Sequence, residues 1–291
     1  MVFNLRKRDI AETLESRAHR LTLITDLTFE LVPLKSLDAA VEALPAGAEV
    51  SVTASPAKGL DETMAISERL VAQGFSVIPH ISARMVRDQD HVTEIAAWFR
   101  SSGLAKMFLV GGDTEDPGEF SAAADFLAAL LERDHGLDTI GVTAYPDGHA
   151  LISDELLRDA LLEKQQLLAD AGVAGYASTQ MCFNPTTISR WLEAERSRGM
   201  DLPIHLGLPG VVDKAKLMSM GVRLGIGQSL SYLKKNRAAV AKIMTMTSYD
   251  PNDLLVPLSA DLLELGVEGL HMFTFNNVEA TNQWRLSAIE H

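Results

Sequence analysis

The groups that move protons and hold polar ligands stand in this chain where short apolar runs end. "TFEL" carries Glu30, "EVSVTAS" carries Thr53, "FSVIPHI" carries His80, and "MFLVGGD" runs through Gly112 into Asp113. "IGVTAYP" leads to Tyr145 with His149 close behind, "YASTQMCF" holds Gln180, and "LHMFTFN" holds His271, Thr274 and Asn276. Carboxylates, imidazoles, a phenol and a primary amide supply general acids and bases together with hydrogen-bond donors and acceptors. A further stretch, "GIGQS", places Gly225, Gly227 and Ser229 ahead of a segment with Lys234 and Lys235. Backbone N–H groups at a helix start there would suit a phosphate, and a helix cap accounts for the same residues equally well.

Any one of these residues alone fits a structural role, because Asp and Gly favour turns and single histidines are often hydrogen-bonded framework groups. Their joint placement depends on the elements that carry them. Eight strand-like apolar runs alternate with amphipathic segments whose apolar residues recur at i, i+3, i+4 and i+7, such as "LDETMAISERLVAQG" and "SDELLRDALLEKQQLLADAG". Glycines at 74, 103, 136 and 172 close several of these segments, while Ser153 and Asn184-Pro185 open two others. Alternating strands and helices require right-handed parallel crossovers, and eight such units close into an α/β fold of the (β/α)8 TIM barrel type. The alternative is an open doubly wound sheet, yet no G-x-G-x-x-G follows the first strand. The reading is therefore one barrel domain over 1–291, with 1–20 as an N-terminal helical extension and extra helices between strands seven and eight. In a barrel the C-terminal strand ends converge on one mouth, so the polar residues listed above are expected to line a shared pocket.

Composition narrows the partners. A net charge of −13 opposes binding to a phosphate backbone, so nucleic acid is not expected. No apolar run is long enough for a membrane span, and the first twenty residues lack a signal-peptide core, which reads as cytoplasmic. Cys182 is the only cysteine, and no Cys/His group has metal-ligand spacing, so neither a disulfide nor a metal is expected. The apolar helix faces fit ordinary barrel packing and a homo-oligomer interface alike.

The run ends, taken in order, resemble the methylenetetrahydrofolate reductase family of (β/α)8 flavoproteins. "TFELVP" resembles the family's Ser-Phe-Glu-Phe-Phe-Pro block, "PHI" its Pro-His-Leu, and "GGD" its Arg-Gly-Asp. "AYPDGH" is similar to Ala-Tyr-Pro-Glu-x-His, "TQMCF" to Thr-Gln-Phe-x-Phe, and "LHMFTFN" to His-Phe-Tyr-Thr-Leu-Asn. The resemblance implies reduction of methylene-tetrahydrofolate to methyl-tetrahydrofolate with NADH or NADPH and FAD. Glu30 would be the general acid that lets the bridge nitrogen depart. Asp113 would balance charge on the iminium intermediate and, with Gln180, pair the pterin's 2-amino-4-oxo edge. His271, Thr274 and Asn276 would complete the folate side. Thr53, His80, Gly112, Tyr145 and His149 would face the cofactor, with Gly225, Gly227 and Ser229 as a phosphate cradle.

The chain departs from the family where flavin is held. Gly111 replaces the Arg beside the Gly-Asp pair, Leu167 and Leu168 stand where cations are expected, and Ala54 and Asn277 replace a Tyr and an Arg. Losing cations from an acidic protein weakens the grip on a diphosphate. Flavin occupancy is thus open, and direct hydride transfer from a nicotinamide cofactor is the alternative. Two alternative readings fit the same pocket: methyl transfer from a folate without redox chemistry, and non-catalytic pterin binding.

Overall fold

The computed structural model describes residues 12–213 and 249–290. A helix, α1 (Leu14–Thr25), precedes β1 (Thr28–Leu31). There follow α2 (Leu37–Glu42), β2 (Glu49–Val52), α3 (Leu60–Ala72), β3 (Ser76–Ser82), α4 (Gln89–Ser102) and β4 (Lys106–Val110). The chain continues through α5 (Ala123–Leu131), β5 (Thr139–Ala144), α6 (Asp154–Ala171), β6 (Ala174–Thr179), α7 (Pro185–Arg196) and β7 (Ile204–Pro209). Last come α8 (Asn252–Glu264), β8 (Val267–Phe273) and α9 (Val278–Glu290). The strands form one closed parallel barrel in chain order, with β1 pairing β8 to complete the ring. This is the (β/α)8 architecture expected from the alternating pattern.

The strands read as near-continuous apolar runs because both of their faces are buried, one by the helices and one by the barrel interior. Local signals set the helix ends. The Ser153 side chain accepts from Leu156 N–H to start α6, and Asn184 Oδ1 accepts from Thr186 and Thr187 N–H ahead of Pro185 in α7. Gly103 and Gly172 end α4 and α6 in the left-handed conformation. Helix α5 differs from the sequence expectation. It stops at Leu131, and Gly136 makes its left-handed turn in the loop beyond.

Of the extra helices expected between strands seven and eight, α8 lies among the described residues; 214–248 fall outside them, as do Gly225, Gly227 and Ser229. Helix α1 covers the latter half of the expected N-terminal extension and packs against β8, α8 and α9.

Inside the barrel, side chains stack in layers. Towards the N-terminal end, Glu49 accepts from Thr28 Oγ1 at 2.7 Å and pairs with Lys106 at 2.5 Å. Tyr176 lies flat on His205 with ring centroids 4.0 Å apart. Ile78, Phe108 and Tyr176 make an apolar middle layer with Val110. Gly141 makes room for this layer, since a Cβ there would fall 2.2 Å from Tyr176 Cζ. This plug closes the N-terminal end and leaves the polar layer above it facing the C-terminal mouth.

Candidate active site

Above the plug is a cavity of about 160 Å³ lined by Glu30, His80, Tyr145, Gln180 and His271, together with Phe108 and Phe273. These residues come from strands or strand ends on β1, β3, β4, β5, β6 and β8. The barrel therefore gathers five of the expected residues at one place. Glu30 is 6 % exposed, and its Oε2 lies 2.9 Å from Nε2 of His271, itself buried. A carboxyl group taken out of water costs free energy unless its polar atoms find partners. The imidazole supplies that partner from the opposite side of the β1–β8 seam.

Thr274 and Asn276, expected on the folate side, are hydrogen-bonded to β1 and the segment after it. Thr274 Oγ1 donates to the backbone carbonyl of Glu30. Asn276 Oδ1 accepts from Val32 N–H at 2.9 Å, and its Nδ2 donates to Val32 O at 2.9 Å. Both side chains bond the backbone of β1 and its exit, with Asn276 Nδ2 also donating to Ser36 Oγ at 3.1 Å, and they tie down the strand that carries the acid. Asn276 takes a left-handed φ of 61° to do so, a conformation Asn tolerates better than most residues.

His80 is buried, and its Nε2 has no hydrogen-bond partner among the described residues. Its ring sits 4.7 Å from Phe108 and 5.8 Å from His271, centroid to centroid. Burial, reinforced by the neighbouring His271, pushes its pKa well below the ordinary value, so the ring is neutral. A neutral ring with an unused nitrogen beside a cavity offers a bond to a ligand. Glu30, His80 and His271 each bring one donor atom to within 4.8 Å of the others, a set chemically able to hold a metal. Spacing along the sequence could not disclose it, because the three residues lie on three distant strands. The hydrogen bond between Glu30 and His271 already accounts for two of its members.

Gln180 lines the cavity with its Oε1 accepting from Met181 N–H. Tyr145 contacts the edge of His149, which is exposed, and burial raises the Tyr145 pKa while a hydrogen bond to Thr143 opposes the rise. Thr53 is half-buried at the end of β2, where its N–H donates to Leu31 O and its carbonyl accepts from Thr63. Asp113 is exposed on the loop after β4, three residues beyond the cavity-lining Val110. Gly112, before it, has φ +92°, and a Cβ there would lie 2.0 Å from Ser82 Oγ. Sequence reasoning passed over Phe108, Thr143, Ser178 and Phe273, which line the cavity. The signal was present: Thr143 and Tyr145, Ser178 and Gln180, and His271 and Phe273 are pairs two residues apart, and a strand repeats its direction every second residue.

The flavin expectation can be tested against the same residues. Leu168 is buried in the core at 1 % exposure with Leu167 packed against that core, and Gly111 offers no side chain. The positions where cations were expected are therefore apolar or empty of charge, and they do not fit a flavin diphosphate.

A closed (β/α)8 barrel with a buried acid–imidazole pair at its C-terminal mouth has the layout of a barrel enzyme's active site. The chain belongs to the methylenetetrahydrofolate reductase family: the model of the family described as "Methylenetetrahydrofolate reductase" matches residues 33–285. Among curated relatives it is 23% identical over 169 residues to Methylenetetrahydrofolate reductase 1 of Schizosaccharomyces pombe, covering 56% of this chain and 26% of the relative. It is 26% identical over 191 residues to Methylenetetrahydrofolate reductase 2 of Saccharomyces cerevisiae, covering 60% and 30%. The matches thus span less than a third of these relatives' length. A solved Burkholderia cenocepacia J2315 chain assigned as a phosphonomutase shares the fold, with a TM-score of 0.51, 18% identity, and coverage of 95% of this chain and 97% of that one. No helix among the described residues is long and apolar enough to cross a membrane.

Proposed function

We propose that this chain interconverts 5,10-methylenetetrahydrofolate and 5-methyltetrahydrofolate, taking hydride directly from NADH or NADPH. The observation that carries the reading is the buried Glu30, hydrogen-bonded to His271 and facing the cavity at the barrel mouth. Glu30 gives a proton to the bridge nitrogen of the folate, the carbon–nitrogen bond breaks towards that nitrogen, and the remaining nitrogen forms an iminium with the one-carbon unit. Hydride from the dihydronicotinamide then adds to the iminium carbon, leaving a methyl group and an oxidised nicotinamide. His271 holds the Glu30 carboxyl in place, and Thr274 and Asn276 hold its strand. Asp113 and Gln180 pair with the polar edge of the pterin, and Asp113 also offsets the iminium charge. Thr53, His80, Gly112, Tyr145 and His149 stand on the nicotinamide side. No step is routed through flavin, because the residues at the expected cation positions do not fit it.

The test is an absorption spectrum of the purified protein, followed by NADH and NADPH oxidation with methylenetetrahydrofolate, with and without added FAD. The proposal expects turnover that FAD leaves unchanged. A stoichiometric flavin band with FAD-dependent turnover would replace direct transfer with a flavin route. Folate binding without turnover would favour a pterin-binding or methyl-transfer barrel.

A further inference from the structure

The contact between Glu30 and His271 accounts for two of the three donor groups at the floor of the inner cavity and leaves the third unexplained. Glu30 Oε2 and His271 Nε2 are 2.9 Å apart. His80 lines the same cavity at 5 % exposure, with its ring centroid 5.8 Å from that of His271, and its Nε2 has no hydrogen-bond partner among the described residues. Buried polar atoms without a partner are rare in folded proteins. Ser51 repeats the pattern. It is in register with Glu30 on the neighbouring strand β2, which puts both side chains on the same face of the sheet. Ser51 too is buried, with its Oγ unpaired among the described residues.

One donor atom from each of Glu30, His80 and His271 lies within 4.8 Å of the other two. Zinc bonds imidazole nitrogen and carboxylate oxygen at about 2.0–2.2 Å, which sets tetrahedral donors roughly 3.4 Å apart. A pair at 4.8 Å would close by about 1.4 Å, and the 2.9 Å pair would open slightly, adjustments that small side-chain rotations supply. Cys182 is not among the three donors; its Sγ donates to Asp147 Oδ1 at 3.3 Å.

Two imidazoles and one carboxylate suit zinc, and three protein ligands leave its fourth position open to an exchangeable water or ligand. Magnesium and calcium take six or more oxygen donors and fit this set poorly. Bound to a cation, the carboxylate is ionised and both rings are neutral, so the ligand set carries one negative charge towards the metal. Phe108 and Phe273 in the cavity wall lower the local dielectric and strengthen that attraction. We propose that Glu30, His80 and His271 form a binding site for a zinc-class divalent cation at the floor of the inner cavity, with its open position towards the barrel mouth. An occupied site takes up the Glu30 carboxylate, which then has no proton to give, so metal binding and folate turnover exclude each other. That consequence rests on the oxidoreductase reading above, whereas the site itself does not.

Calorimetric titration of the full chain with Zn²⁺, and separately with Mg²⁺, tests the site without any turnover. Stoichiometric Zn²⁺ binding is expected, with Mg²⁺ binding far more weakly. Losing a ligand weakens a metal site at least as much as losing a supporting partner does, so Glu30→Gln and His80→Ala are each expected to lower Zn²⁺ affinity by about 10- to 100-fold or more. If either variant misfolds, X-ray absorption of the zinc-loaded wild type decides, with two imidazoles and oxygen donors expected around the metal. No Zn²⁺ binding, equal affinity for Mg²⁺, affinity unchanged in both variants, or a sulfur donor from Cys182 overturns the site. Turnover of methylenetetrahydrofolate that Zn²⁺ suppresses and a chelator restores upholds the site and its consequence together. Variant-sensitive Zn²⁺ binding with turnover unaffected at saturating Zn²⁺ upholds the site and removes Glu30 as the proton donor. Turnover by a chain that binds no Zn²⁺ does the reverse.

Discussion

His271 Nε2 lies 2.9 Å from Glu30 Oε2, although 241 positions separate the two residues in the chain. Closure of the barrel by pairing β1 with β8 makes that contact, with Glu30 in register with Phe273 and Thr28 with His271. Neither residue has this partner until the last strand docks.

Replacing His271 therefore should act on the chemical step more than on binding. A hydrogen bond to a charged group is worth about 1.5–3 kcal/mol, so His271→Phe is expected to lower kcat roughly 10- to 100-fold with the folate KM within threefold. His271→Gln retains a donor and is expected to recover part of the loss. Steady-state kinetics of the two variants checks this, and equal kcat in both would remove the positioning role.

Gly112 and Asp113 give a paired prediction. At φ +92°, with a Cβ falling 2.0 Å from Ser82 Oγ, Gly112→Ala must move the loop after β4. Its melting temperature is expected to fall by several degrees and its folate affinity to drop. Asp113→Asn, at an exposed position, is expected to weaken the folate about tenfold with an unchanged melting temperature. Thermal melts alongside folate titrations separate the two. Wild-type affinity in Asp113→Asn would take Asp113 out of the site.

Lys164 on α6 is 5 % exposed, and burial lowers its pKa to about 8, the charge of Glu163 opposing the shift. The unfolded chain keeps this proton to higher pH, so between about 8 and 10.5 the unfolded state binds more protons and stability rises with pH. Below that window the cost of the buried charge is fully present. Lys164→Met is expected to be more stable at pH 7 by up to roughly 3 kcal/mol, with the advantage shrinking as pH rises through the window. Urea denaturation of both proteins at pH 7 and pH 10 measures it, and a gap that widens with pH would contradict the account.

Most of the barrel was legible because eight apolar runs alternate with amphipathic helices, and parallel strands buried on both faces leave that continuous signature. The acid, imidazole and amide of the inner cavity were legible because Glu30, His80, Gln180 and His271 sit where such runs end. Other features depend on contacts across the closing seam, which local patterns do not carry. Thr274 and Asn276 read as polar residues at a strand exit, and only the position of β1 turns them into supports for Glu30. The Glu49, Lys106, Thr28 and His205 layer at the N-terminal end is likewise scattered over four strands. Asp113 followed a strand as expected, yet the left-handed turn at Gly112 precedes it and it stands on the exposed rim.

The most direct test compares wild type with Glu30→Gln in a single-turnover experiment on preformed complexes with methylenetetrahydrofolate and NADH, with folate affinity measured separately. A positioned general acid contributes about 10²- to 10⁴-fold, so the variant is expected to bind folate as wild type does and to form 5-methyltetrahydrofolate at least a hundredfold more slowly. A rate within threefold of wild type would show that the proton comes from elsewhere and that the buried pair at the barrel mouth serves structure alone.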